Sequence, residues 1–262
     1  MTPLQPGRAL VTGASSGIGR ALTVELARRG WAVTAVARDA ERLQALVAEL
    51  STPHQGAHVI VAADLATADG GALVAERLRS VVEPIDLLVT AAGVGTTAPF
   101  PRAPLAEEEL MLALNVTSVL QLTHAAAAVM SGRGSGAIIN VSSTAAYWSA
   151  GTYAAAKSWV LAATLGLRAQ VSASGVRVMA LVPGFTRTEF HARSRTDATG
   201  VRPWLWLAAS QVATEALDAL DRDRAICIPG RRYRALVEVV RHLPPRGRAA
   251  VLRRLAPLRS AP

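Results

Sequence analysis

The chain has 262 residues, about half of them apolar (51%), so it can bury the core of one large domain. Its only cysteine, Cys227, excludes a disulfide framework and a cysteine-based zinc site, and we predict no metal. The net charge of +9 lies in residues 222–262, which hold eleven arginines against Asp223 and Glu238, whereas residues 1–221 balance to zero. The first seven residues contain no apolar segment typical of a secretory signal, so we expect a cytoplasmic protein.

Apolar runs alternate with segments of helical periodicity along most of the chain. Strands are predicted at 8–12, 31–37, 58–62, 85–89, 137–141, 176–181 and 225–228. Helices are predicted at 18–29, 39–50, 69–82, 105–131, 152–172 and 208–221. This alternation predicts right-handed βαβ units and a doubly wound α/β fold, in which helices cover both faces of a parallel sheet.

Three segments depart from the regular alternation. Leu110–Gly132 has no charged side chain, but it contains Asn115 and His124, so a buried helix explains it better than a membrane span. Residues 190–207 are irregular, and we predict a lid there. We predict one domain over residues 1–228, followed by a basic, amphipathic, helical extension over residues 229–262.

The turn after the first strand is rich in glycine and reads Thr12-Gly-Ala-Ser-Ser-Gly-Ile-Gly19. Glycines let the backbone approach a ligand, and the N-terminus of the following helix favours a pyrophosphate. The spacing resembles the T-G-x-x-x-G-x-G of the short-chain dehydrogenases/reductases, and the resemblance extends over about residues 7–228. It implies a Rossmann-type domain that binds a nicotinamide dinucleotide. The loop residues that it assigns to the cofactor are Gly13, Ser15, Ser16, Gly17, Ile18 and Gly19.

The end of the second strand, Ala37-Arg38-Asp39, bears on the choice between NAD and NADP. An acidic residue there binds the ribose hydroxyls of NAD, whereas an arginine favours the 2′-phosphate of NADP. By resemblance, Ala37 occupies the position of the NAD-selecting Asp and Arg38 that of the NADP-selecting basic residue. We predict NADP, with Asp39 as a helix cap. In the alternative, Asp39 binds the ribose of NAD and Arg38 is solvated. Asp64 and Leu65 match the family's adenine-contacting pair.

Tyr153 and Lys157, the only lysine of the chain, are four residues apart and so share one helix face. Carbonyl reduction needs a proton donor, and a nearby ammonium is expected to lower the pKa of the phenol from its usual value near 10. The resemblance makes Tyr153 the acid/base and Lys157 its partner, which also binds the nicotinamide ribose. It makes Ser143 the residue that orients the substrate carbonyl, with Ser142 as the alternative.

Asn115 matches the family's helix asparagine, which supports a water between the lysine and solvent. The alternative is a polar residue in a helix bend.

Thr90-Ala-Ala-Gly93 departs from the family's Asn-Asn-Ala-Gly. It keeps Gly93 beside the adenosine ribose, but it puts sheet support and cofactor affinity in question. The interval from Ser143 to Tyr153 is ten residues, shorter than is common in the family, which predicts a more open mouth.

The segment Pro183-Gly-Phe-Thr-Arg-Thr188 resembles the family's P-G-x-x-x-T. The resemblance implies that Pro183, Gly184, Thr186 and Thr188 hold the nicotinamide carboxamide. Aromatic side chains in this region and near the serines are candidates for an apolar substrate pocket. These candidates are Tyr147, Trp148, Phe185, Phe190, Trp204 and Trp206.

The basic extension allows several partners. Tyr233, Leu236, Val237 and Val240 share a helical face opposite arginines, a pattern compatible with contact to a membrane surface or an acidic partner. Packing against a second subunit is the simpler interpretation, because family members commonly form dimers or tetramers, and we expect a homodimer or homotetramer. Nucleic-acid binding would suit the charge but lacks a recognisable module.

These observations predict an NADP-dependent oxidoreductase. It would transfer hydride between nicotinamide and a carbonyl or secondary alcohol of an apolar or lipid-like small molecule. The alternative is a non-catalytic nucleotide-binding or interaction protein that keeps the fold. Relatives that perform epimerisation or dehydration tend to have an extended substrate domain, for which this chain has no room.

Overall fold

The computed structural model describes residues 4–54, 56–98, 100, 102–148, 151–194, 196–255 and 259–260. Its central strands are β1 Arg8–Thr12, β2 Ala32–Ala37, β3 Val59–Ala62, β4 Leu87–Thr90, β5 Gly136–Val141, β6 Val176–Leu181 and β7 Ile226–Cys227. They form one parallel sheet in the order β7-β6-β5-β4-β1-β2-β3. The order reverses between β1 and β4, and the crevice at the carboxyl ends of these two strands is where such sheets bind ligands.

Helices cover both faces of the sheet, as predicted. They are α1 Gly17–Arg28, α2 Ala40–Ala48, α3 Ala68–Arg79, α4 Leu105–Leu112, α5 Ser118–Arg133, α6 Gly151–Val171, α7 Phe190–Arg193, α8 Ala209–Asp221, α9 Arg231–Arg241 and α10 Pro245–Leu255. Short 3-10 helices occupy Thr144–Tyr147, Ser172–Ser174 and Pro203–Leu205. Residues of α1, α2 and α8 bury the apolar core on one face, and residues of α3, α5 and α6 bury it on the other. The doubly wound, Rossmann-type α/β prediction is confirmed.

The third helix is shorter than predicted. It begins after Thr67, whose hydroxyl accepts a hydrogen bond from the backbone N–H of Gly70, and it ends at Arg79 instead of residue 82. Val81 and Val82, in the connection that follows, are exposed to solvent. The predicted helix was too long because the prediction rested on periodicity alone.

The segment 105–133 is one continuous helical rod with a π turn at Ala113–Thr117, between α4 and α5. By length and composition it is the one helix of the described chain that could cross a membrane. It lies on the sheet beside α3, and Leu122, Ala126 and Met130 are buried in that contact. This packing agrees with the prediction of a core helix.

The lid region is more ordered than its composition suggested. It contains α7, the 3-10 turn Pro203–Leu205 and the short strand Thr196–Asp197, and it ends at a second short strand, Leu207–Ala208. Thr186–Arg187 pairs in parallel with Leu207–Ala208, and Thr196–Asp197 pairs with Arg259–Ser260. The end of the basic extension therefore returns to the lid.

The apolar face of α9 packs against the protein's own domain, with Tyr233, Val237 and Val240 buried. That face is therefore closed to a membrane, contrary to one interpretation of its pattern. The opposite side exposes arginines. The boundary at residue 228 stays a prediction, as does peripheral membrane contact through these arginines.

Candidate active site

The glycine loop lies at the carboxyl end of β1, beside the loop that follows β4. Gly13 has a φ of 66°, and a Cβ there would lie 2.9 Å from the backbone of Ala92. Helix α1 starts at Gly17, and the residue before it, Ser16, makes no side-chain capping bond. The positive end of α1 thus faces the crevice without a side-chain cap, and a pyrophosphate fits such a cradle.

The loop after β6 reaches the same crevice. A Cβ at Gly17 would lie 3.3 Å from the side chain of Thr188, so the phosphate loop and the Pro183–Thr188 segment are in contact. Within this segment the Thr186 hydroxyl donates to the carbonyl of Gly184 at 2.9 Å. The carbonyl of Pro183 accepts from the backbone N–H of Thr144 at 2.9 Å.

The residues that bear on the cofactor's 2′ position lie at the end of β2. Asp39 caps α2 by accepting from the backbone N–H of Arg42 at 3.0 Å, as predicted for a cap. Arg38 is 68% exposed at its side chain, and a terminal nitrogen lies 3.9 Å from the carboxylate of Asp64. The side chain of Leu65 is buried in the core, so only its backbone can meet a ligand.

Tyr153 and Lys157 lie in the first two turns of α6. The side chains of Tyr153 and Ser143 lie close enough for the serine to act on the pKa of the tyrosine. Lys157 is only 5% exposed, and its ammonium donates to the carbonyl of Val141 at 3.1 Å. The ammonium nitrogen lies 5.8 Å from the centre of the Tyr153 ring. The structure therefore brings together Tyr153 and Lys157, which were assigned to proton transfer, and Ser143, which was assigned to orient the carbonyl.

The pKa of Tyr153 shifts in the direction opposite to our expectation. Burial raises it to about 12, and Ser143 only partly opposes this effect. Burial also lowers the pKa of Lys157 to about 8. Desolvation disfavours the charged form of each group, which explains the direction of both shifts.

The two serines after β5 have separate environments. The hydroxyl of Ser142 is buried and donates to the backbone carbonyl of Lys157 at 2.7 Å. The hydroxyl of Ser143 accepts from the backbone N–H of Ala145 at 3.1 Å and meets Tyr153. This geometry favours Ser143 as the residue that meets the substrate.

Ser143→Ala is therefore expected to lower kcat by roughly a hundredfold, because one oriented donor to the developing oxyanion is lost. Ser142→Ala should instead lower the free energy of unfolding by about 1 kcal/mol with little change in kcat, because only a structural hydrogen bond is removed. Steady-state kinetics and urea unfolding of both variants separate these roles. The reverse pattern would assign the catalytic role to Ser142.

Asn115 lies in the π turn and is fully buried. Its side chain accepts from the backbone N–H of Val94 at 3.0 Å and donates to the carbonyl of the same residue at 2.8 Å. A Cβ at Gly93 would lie 2.8 Å from the Asn115 side-chain oxygen and 3.5 Å from the Lys157 nitrogen. Asn115 thus holds the loop after β4 beside Lys157, and π turns are frequent at functional sites.

The altered Thr90-Ala-Ala sequence is supported in another way. The hydroxyl of Thr12 accepts from the backbone N–H groups of Ala91 and Ala92 at 3.0 and 3.1 Å. Thr90 donates to the side-chain oxygen of Asn140 at 2.8 Å, which fixes the neighbouring strand. The hydroxyl groups of Thr12 and Thr90 therefore support this part of the sheet, where the family's two asparagines are absent.

Part of the lid lies against Tyr153. The ring centres of Phe190 and Tyr153 are 5.6 Å apart. The imidazole of His191 contacts the rings of Phe185, Phe190 and Trp206 at 5.2 to 5.6 Å, and burial lowers its pKa. These aromatics form an apolar wall next to the site.

The other aromatic candidates lie elsewhere. Trp148 is buried, and Trp204 is exposed beside Arg232. Burial raises the pKa of Tyr147, and the positive charge of nearby Arg241 on α9 opposes this shift.

Two residues that we did not predict, Glu189 and the lid residue Arg193, make contacts with distant parts of the chain. Glu189 pairs with Arg42 of α2 at 3.1 Å, and Arg193 donates to the hydroxyl of Ser16 at 3.2 Å. Neither belongs to a recognisable motif, and each contact joins residues more than a hundred positions apart. Periodicity and spacing carry no signal for such pairs.

Known proteins provide a comparison. A family model described as short chain dehydrogenase matches residues 8–199. The chain is 37% identical over 188 residues to serine 3-dehydrogenase of Rhizobium radiobacter, covering 70% of this chain and 74% of that protein.

Solved structures agree in fold. A short-chain dehydrogenase from Sphingobium yanoikuyae in complex with NADPH has a TM-score of 0.82 and 30% identity, with 94% of each chain covered. A bulky-bulky ketone specific alcohol dehydrogenase from Comamonas testosteroni has a TM-score of 0.76 and 28% identity, with 90% of this chain and 92% of that chain covered. Together with the site geometry, these matches show that the chain is an oxidoreductase of the short-chain dehydrogenase family.

Proposed function

We propose that the protein reduces a ketone or aldehyde group of an apolar small molecule with NADPH. The placement of Ser143 beside Tyr153, next to the buried ammonium of Lys157, carries this proposal. The bound cofactor would supply the hydride. The residues of the chain would orient the carbonyl oxygen through Ser143 and protonate it from Tyr153.

The protonation states at neutral pH are those with which carbonyl reduction starts. With its pKa raised to about 12, Tyr153 carries its proton at neutral pH and is ready to donate it. With its pKa lowered to about 8, Lys157 titrates close to neutral pH, so it can return a proton to the phenolate. Alcohol oxidation would require the unfavourable phenolate at the start.

The substrate class is proposed from the aromatic wall at Phe185, Phe190 and Trp206. The similar Comamonas testosteroni enzyme is described as specific for bulky-bulky ketones, which agrees with such a wall. The relative from Rhizobium radiobacter is named for serine, so a polar substrate is the second candidate.

A panel of bulky ketones, aliphatic aldehydes and L-serine, assayed with NADPH and NADH, tests the proposal. We expect the largest kcat/KM for an apolar ketone with NADPH. Preferred turnover of L-serine would overturn the apolar assignment. Binding of NADPH without turnover of any compound would favour the non-catalytic alternative.

Arg38→Asp is expected to lower kcat/KM with NADPH by roughly tenfold to a hundredfold, because a charged hydrogen bond to the 2′-phosphate is replaced by repulsion. The value with NADH should stay the same or rise. Arg79→Asp, which makes the same charge change at an exposed site on α3, is the control. An equal loss with both cofactors in Arg38→Asp would remove the NADP assignment.

A homodimer or homotetramer is also proposed. Leu112, Leu120 and Trp159 are exposed on α4, α5 and α6, where a second copy of the chain would cover them.

A further inference from the structure

Tyr233 belongs to the segment that we predicted as a separate extension, yet it packs directly on the Pro183–Thr188 loop. It is only 3% exposed. A Cβ at Gly184 would lie 2.0 Å from the Cζ atom of the Tyr233 ring. Residue 184 must therefore lack a side chain, because the ring occupies the space that a side chain would need.

The hydroxyl of Tyr233 connects two segments on the cofactor side of the protein. It accepts a hydrogen bond from the backbone N–H of Phe185 at 2.9 Å and donates one to the carbonyl of Leu205 at 2.8 Å. One buried hydroxyl thus holds both the Pro183–Thr188 loop and the end of the lid. Without it, a donor and an acceptor would remain buried without these partners.

The same helix also supports the serine loop. Helix α9 packs against the 3-10 turn Thr144–Tyr147, which follows Ser143 directly. That turn is bonded to the Pro183–Thr188 loop through the N–H of Thr144 and the carbonyl of Pro183. Tyr233 therefore completes a continuous path from α9 to both sides of the reacting centre.

We infer that Tyr233 is a positioning residue, which holds the Pro183–Thr188 loop in the shape that orients the nicotinamide ring. This inference rests on the proposed function. It gives the extension, through α9, a role in catalysis that its arginines do not suggest. Tyr233 acts through the loop and touches no reacting atom.

Tyr233→Phe tests the inference, because it keeps the ring on Gly184 and removes only the hydroxyl. We expect the Kd for NADPH, measured by nucleotide fluorescence, to rise by about tenfold or more. In the reaction, KM for NADPH should rise more than kcat falls. Transfer from NADPH deuterated separately on each face of the ring should show reduced facial selectivity. Val239→Ala, at a 61% exposed position of the same helix, should leave all three quantities unchanged.

A purely structural role predicts a different result. In that case Tyr233→Phe would lower Tm while Kd, the KM-to-kcat ratio and facial selectivity stayed at wild-type values, and the inference would be wrong. If Tyr233→Phe does not fold, Gly184→Ala disturbs the same contact from the loop side and should weaken NADPH binding at least as much. Unchanged binding in Gly184→Ala would also overturn the inference. Wild-type protein that binds no nicotinamide dinucleotide would instead contradict the proposed function.

Discussion

Tyr153→Phe is expected to lower kcat by about a hundredfold to ten-thousandfold and to leave the Kd for NADPH nearly unchanged. The phenylalanine keeps the ring against Phe190 but cannot donate a proton. General acid catalysis contributes a factor of this size. Single-turnover reduction of the best ketone, followed at the absorbance of NADPH, measures the chemical step directly.

Gln170→Ala is the control for this variant, since it changes an exposed residue on the same helix. It should retain the wild-type rate. A fully active Tyr153→Phe would sink the proposed mechanism, in which Tyr153 is the proton donor.

Lys157→Met is expected to make the protein inactive and, at pH 7, more stable. The ammonium is buried, and its pKa falls from 10.5 to about 8 on folding. Below pH 8 both the folded and the unfolded chain carry this proton, so folding bears the full cost of burying the charge. Between about pH 8 and 10.5 the folded chain binds fewer protons than the unfolded chain, so the cost disappears as pH rises.

The size of the effect follows from the shift in pKa. Removing the charge should raise the free energy of unfolding at pH 7 by about 1 to 3 kcal/mol. The upper value corresponds to the full pKa shift of Lys157. The lower value allows for the loss of the hydrogen bond to Val141. The advantage should vanish near pH 10. Urea unfolding at pH 7 and at pH 10 measures both values.

Lys157→Arg is the matched control, because arginine keeps its charge over the whole range. It should show no recovery of stability between pH 8 and pH 10. A Lys157→Met protein that is less stable than wild type at both pH values would contradict our account of the buried ammonium.

Much of the sheet could be predicted from the sequence, because strands buried on both faces read as apolar runs. Strand β6, Val176–Leu181, has the bounds that its mostly apolar sequence predicted. The end of α3 could not be predicted, since Val81 and Val82 continue the apolar pattern into solvent. The π turn also escaped prediction, because it depends on the bond between Asn115 and Val94, which lies 21 residues away.

The motifs identified the residues of the candidate site but not their electrostatics. The spacing of Tyr153 and Lys157 indicated that they are neighbours, and the attraction between them pointed to a lowered pKa. The direction was wrong because desolvation depends on the surrounding fold, which spacing does not describe. The pattern predicted that Tyr233 lies on an apolar helix face. It could not predict the contact with Gly184, because the two residues are 49 positions apart in the chain.

The chain has one lysine, and that lysine lies in the catalytic site. Protein grown with isotope-labelled lysine therefore carries a single labelled ammonium among 27 arginines. Its nuclear magnetic resonance signal reports the active site without assignment of any other residue. The same labelled sample can follow cofactor binding, substrate binding and titration at one nitrogen atom.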